Sequence, residues 1–119
     1  MRHLVNTQKF HRTKEERRRL KIDLSRALIL NGQITTFKTR AKWFRPFFER
    51  LVTLCKRADG NTQLQFQRLR KYVDEPTARK FIEKIYPTLK ERQGGYVRVL
   101  NYQEPFSVHQ KAIVTIVEN

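Results

Sequence analysis

The 119 residues make one domain, 1–119, since a single core serves chains of up to roughly 250 residues, and two enzyme domains do not fit. Lys and Arg number 26 against 11 Asp and Glu, a formal charge of +15 that repels itself unless it meets a polyanion, so nucleic acid or an anionic membrane is the natural counter-surface. The hydrophobic fraction, 39%, allows a modest core under a basic surface, and no run approaches the roughly 18 apolar residues of a membrane span.

Residues 1–12 show neither helical nor alternating periodicity and read as an extended basic arm that orders on a partner. Thr13-Lys14-Glu15-Glu16 matches a capping box, which predicts a first helix running to about Leu30. Asn31-Gly32 stops it, because glycine adopts the left-handed cap conformation without steric cost. Gln33-Ile34-Thr35-Thr36-Phe37 alternates and is rich in β-branched residues, as a short strand is.

The second helix, Thr39 to Arg57, has the clearest pattern. At about 100° per residue, Trp43, Leu54, Phe47, Leu51, Phe44, Cys55, Phe48, Ala41 and Val52 fall in one half-circle, and Arg45, Lys56, Glu49, Lys42, Thr53, Arg57 and Arg50 fill the other. Pro46 sits mid-run, where it kinks a helix or moves its start.

Ala58-Asp59-Gly60-Asn61 is a turn before a third, less regular helix carrying Leu64, Leu69, Tyr72 and Val73. Asp74-Glu75-Pro76 starts a fourth, with Ala78, Phe81, Ile82, Ile85 and Leu89 on one face and Pro87 expected to break it near its end. After Gly94-Gly95 the period becomes two: Tyr96 to Leu100 and Lys111 to Val117 read as paired strands around a loop holding Pro105. The fold class is α+β, a two-layer domain in the order α-β-α-α-α-β-β with a basic N-terminal arm.

Charge is unevenly spread. Residues 1–57 hold 16 basic and 4 acidic side chains, and residues 58–119 hold 10 and 7, so the electrostatic function belongs to the first half. That half is Arg-rich, and the planar guanidinium fork suits phosphate oxygens. His3, His11 and His109 are too scattered for a standard metal spacing, and neither a Gly-rich phosphate loop nor a nucleophile elbow is present, so the chain reads as a non-enzyme needing no cofactor or metal. Cys55, the single cysteine, has no partner for an intrachain disulfide, and a cysteine zinc site lacks ligands. Its place on the apolar face of helix two reads as core, in a reducing compartment. Among aromatic residues Tyr96 is the best stacking candidate, because Gly94-Gly95 lets backbone approach a ligand closely; Phe44 reads as core, and Trp43 fits either role. No helix-turn-helix, zinc-finger or basic-zipper signature marks a sequence-reading DNA binder.

Several segments resemble, in order, the family of the seventeenth protein of the bacterial large ribosomal subunit. They are Met1-Arg2-His3, Lys9-Phe10-His11-Arg12, Arg17, Thr36, Arg40-Ala41-Lys42, Glu49 with Leu51 to Lys56, and the most specific, Gly94-Gly95-Tyr96-Val97-Arg98-Val99-Leu100. Ala112 to Glu118 also fits as the family's closing apolar strand. The sequence departs from the family at Leu4-Val5, at Lys14-Glu15-Glu16, at Pro46 and in the loop Asn101 to Gln110. The resemblance implies a structural, non-catalytic protein of the large subunit, bound to ribosomal RNA and neighbouring ribosomal proteins near the nascent-chain tunnel exit, in a bacterial cytoplasm or an organelle. Neither membrane nor small-molecule substrate is expected.

The expected RNA contacts are Arg2, His3, Lys9 and Arg12 in the arm, Arg17 and Arg18 on the first helix, Arg40, Lys42 and Arg45 on the second, and Gly95, Tyr96 and Arg98 at the hairpin. In that scheme Tyr96 and Arg98 share the RNA-facing side of a strand whose Val97 and Val99 enter the core. The alternative is a nucleic-acid chaperone or DNA-associated factor outside the ribosome.

Overall fold

Thr13 closes the capping box that its sequence promises. Its hydroxyl accepts from the Glu16 amide at 3.2 Å while the Glu16 carboxylate accepts from the Thr13 amide at 3.4 Å, and α1 runs from Lys14–Asn31. Gly32, at φ +79°, ends it by donating its amide to the Leu28 carbonyl at 2.8 Å. The computed structural model describes residues 10–102, 105 and 108–117.

The chain continues through β1 (Gln33–Phe37), α2 (Lys38–Arg57), α3 (Thr62–Leu69) and α4 (Glu75–Lys80). α4 passes without a break into a π-helical turn, Phe81–Ile85, and one last α-helical turn, α5 (Tyr86–Leu89). β2 (Val97–Tyr102) and β3 (Lys111–Ile116) complete the α+β order. The first nine residues of the expected arm lie outside the described residues.

Both helix prolines are accommodated. Pro46 is exposed inside a continuous α2, so it does not mark the start of that helix. Pro87 does not stop its helix either. The Tyr86 amide donates to the Phe81 carbonyl, five residues back, and this wider turn places Pro87 at the start of the terminal turn, where a missing amide costs little. The third helix ends at Leu69 rather than Val73, yet Leu69 and Val73 both reach the core.

The sheet is antiparallel in the order β1-β3-β2, with the last strand in the middle. On one face Ala112, Val114, Ile116 and Val97 are buried, with Ile34 and Val99 packed beside them. Against that face lies α2, whose Ala41, Phe44, Phe48, Leu51, Val52 and Cys55 are all buried. Phe48 packs tilted on Phe44 at 5.8 Å and edge-on to Phe81 at 5.4 Å, which ties α2 to the fourth helical segment. Gln65, buried at the start of α3, donates to the Cys55 carbonyl at 2.9 Å. Burial pushes the Cys55 thiol up to about 12, so the thiolate is suppressed and the residue serves as a small apolar core group.

Phe48 is fully buried at the junction of α2 with the sheet and the π turn. Phe48→Ala therefore lowers unfolding free energy by about 3–5 kcal/mol in urea denaturation, whereas a loss below about 1 kcal/mol would show that α2 is not the centre of the core.

Candidate nucleic-acid interface

Where α1 crosses α2, three cations crowd together. Arg17 and Lys21 are one helical turn apart on α1, both half-buried, and Arg50 reaches in from α2. Burial first, then the Arg50 and Arg17 guanidinium groups, hold the Lys21 ammonium below the usual lysine range. Rings offset part of this: the ammonium stands 4.9 Å from the Trp43 centroid and 5.3 Å from that of Phe47. None of the three cations forms an ion pair among the described residues. Among the described residues, the notch is a cationic site with no carboxylate paired to it.

From this notch, cations and rings alternate along the start of α2. The Phe10 ring meets Trp43 edge-on at 5.0 Å, and the Arg40 guanidinium lies 5.9 Å from Phe10 and 5.7 Å from Phe37. Phe37 in turn meets His109 edge-on at 5.7 Å. Phe10 and His11 reach this position through left-handed backbone, φ 52° and 53°, a conformation that costs free energy in residues other than glycine. The expected extended arm is thus corrected at its root: residues 10 and 11 form a turn that seats Phe10 on α2. Apolar burial and two ring contacts outweigh the strain.

The remaining candidates divide between two faces. Arg12 and Arg18 are exposed at the start of α1, and the Arg12 carbonyl accepts from Arg17 Nη1 at 2.6 Å. Lys42 and Arg45 lie on the exposed stripe of α2, where Arg45 faces Glu49 at 3.7 Å. Arg40 is half-buried, and its Nε has no hydrogen-bond partner among the described residues. Arg98 is exposed on the far side of the sheet, with Val97 and Val99 turned inward as the alternation requires.

Tyr96 contradicts its expectation. It is 6% exposed, belongs to the core, and lies under the Lys56 ammonium at 4.9 Å, so it does not share a face with Arg98. The cause is the turn before it: Gly94 and Gly95 both have positive φ, 90° and 59°, and β2 starts only at Val97, so the two-residue alternation does not extend back to residue 96. Gly95 uses its carbonyl to accept from Arg92 Nε at 3.0 Å. Arg2, His3 and Lys9 lie outside the described residues.

The expected RNA contacts leave out Lys21 and Arg50, although Arg50 belongs to the Arg-rich series with Arg40 and Arg45. The four-residue spacing of Arg17 and Lys21 was a usable signal, but the approach of Arg50 depends on how the helices cross.

A model of the family described as ribosomal protein L17 matches residues 20–118. The chain belongs to the ribosomal protein L17 family. Among L17 proteins, the large ribosomal subunit protein bL17 of Sulfurihydrogenibium sp. is 42% identical over 121 residues, spanning 99% of this chain and 98% of its own. That of Persephonella marina is 43% identical over 122 residues, covering 100% and 97%. The Thermus thermophilus protein of the same name is 38% identical over 104 residues, covering 87% and 86%. The L17 match begins inside α1 and takes in the α2 cations, the buried Tyr96 and the whole sheet.

Two substitutions test the geometry. Lys21→Met keeps the stem over Trp43 and Phe47 but removes the crowded charge. Because the folded state disfavours protonated Lys21, stability at neutral pH is retained or raised; a marked drop in thermal midpoint would show that the ammonium is a structural contact. Phe10→Ala, which strips the arm's anchor from Trp43 and Arg40, lowers stability by about 1–2 kcal/mol in urea denaturation. No change there would mean that the arm root does not pack on α2.

Proposed function

We propose that this chain is a structural constituent of the large ribosomal subunit that binds ribosomal RNA by charge and shape. The carrying observation is the cluster of Lys21, which lies over Trp43 and Phe47, with Arg17 and Arg50, a cationic site with no ion pair among the described residues in a chain of net charge +15. Arg17 and Lys21 are already half-buried by folding, so part of the cost of drying these two cations is met before a phosphate arrives. Arg12, Arg18, Lys42 and Arg45, exposed beside the notch, extend the contact along the RNA backbone. The names of the bL17 relatives support the large subunit as the setting.

In this reading the protein neutralises phosphates where RNA helices pack closely and lies beside neighbouring ribosomal proteins. Its place near the nascent-chain tunnel exit rests on the family resemblance. The setting is a ribosome in the bacterial cytoplasm, and no described helix is long and apolar enough to cross a membrane. The role asks for no cofactor, no small-molecule substrate and no catalysis.

The protein is expected to sediment with the large subunit after a high-salt wash, and Arg17→Gln, Lys21→Met and Arg50→Gln combined release it. Isolated binding to an RNA fragment falls with salt at a log–log slope on the order of −4 to −5 if about six phosphates are neutralised. Recovery of the parent protein wholly in the high-salt supernatant, with a slope near zero, favours a role off the ribosome.

A further inference from the structure

The helices cover only one face of the sheet. On the other, the strand register sets out three rows: Gln33, Thr115 and Arg98; then Thr35, Ile113 and Leu100; then Phe37, Lys111 and Tyr102. These residues are exposed or half-exposed, none belongs to the hydrophobic core, and none is acidic. Phe37 is 45% and Tyr102 40% exposed, and Leu100 beside them is 46% exposed.

The third row is a built recess. Phe37 and Tyr102 stand on the two edge strands with Lys111 between them, about 10 Å apart across two strand spacings. With Arg40, Thr35 and Thr36 they line a hollow of about 500 Å³. Arg40 is the same guanidinium that stands between Phe10 and Phe37 in the cation and ring series running from the α1–α2 notch. The hollow is therefore continuous with the basic track on the helical side.

We propose that this hollow takes an unpaired nucleotide of RNA, its base stacked against Tyr102 and Phe37 and its phosphate held by Arg40; the inference rests on the RNA-binding reading and names the form of RNA at this end of the track. Aromatic faces act on bases that have left the helical stack, because a paired, stacked base offers them no free face. Leu100 and Ile113, in the next row of the same face, offer apolar surface beside the hollow for a ribose, and Arg98 lies further along that face for the next phosphate. Charge selects among occupants. A second copy of a chain at +15 is repelled, whereas a polyanion is drawn to a face whose described strand residues include Arg98 and Lys111 and no carboxylate.

The test uses the full chain with two probes, a single-stranded oligouridine decamer and a duplex RNA of equal length, in fluorescence anisotropy at one salt concentration. Tyr102→Ala is expected to weaken the single strand roughly tenfold and Tyr102→Phe less than about twofold, with duplex affinity within about twofold for both. Unchanged single-strand affinity for Tyr102→Ala, or an equal loss on both probes, overturns the proposal while leaving the RNA reading intact. Failure of the parent chain to bind either probe overturns that reading and this inference with it. A change in the sedimenting mass of the free protein on Tyr102→Ala would make the face a self-docking surface and also overturns it. Should Tyr102→Ala not fold, photocrosslinking of a thiouridine-substituted single strand to the parent protein decides: adducts on Tyr102 or Phe37 support the hollow, and adducts confined to α1 and α2 refute it.

Discussion

The structure depends on the burial of one side of α2. Ala41, Phe44, Phe48, Leu51, Val52 and Cys55 give this helix a continuous apolar strip, and the sheet, the π turn and α3 all pack on it. Burying those side chains contributes the order of 1.5–3 kcal/mol for each large one, so this strip is where the domain's stability is concentrated. Since one half of the helix is committed to the core, its cations can only face outward. The same amphipathic constraint thereby produces both the fold and the basic surface.

The outward surface is not a uniform field of charge. Cations that are merely solvated contribute little to positioning, but Lys21 and Arg40 are held against rings, with their neighbours fixed by helix packing. Trp43 serves both sides. It is half-buried, takes Phe10 on its edge and lies under Lys21, so it joins the arm root to the notch. The left-handed turn at Phe10 and His11 is tolerated because of these contacts. Lys21 shows the trade involved: burial and the Arg50 and Arg17 charges disfavour a charge there, while the Trp43 and Phe47 rings beneath it offset part of the cost.

The glycine pair illustrates how a local feature can mislead. In the sequence, Gly94-Gly95 reads as an opening through which a ligand approaches Tyr96. Instead the two positive φ angles turn the chain so that Tyr96 drops into the core, its carbonyl accepting from the Val117 amide at 3.0 Å. The aromatic residues left outside are Phe37 and Tyr102, at the ends of β1 and β2. Both were unremarkable in sequence, one as a strand's last residue and the other as part of a loop.

What the sequence by itself determined was whatever depends on neighbours in the chain. The Thr13 capping box, the Gly32 stop, the apolar half of α2, the inward Val97 and Val99 and the core thiol of Cys55 are all set within a few residues by backbone sterics or periodicity. Tertiary structure decided what depends on contacts between distant segments. That β3 lies between β1 and β2, that Arg50 approaches Lys21, that Phe10 docks on Trp43 and that Phe37 and Tyr102 flank Lys111 all follow from how α1, α2 and the sheet pack. Periodicity assigns a residue to a side of its own element, but it carries no information about which element lies opposite, and the candidate site is built almost wholly from such pairings.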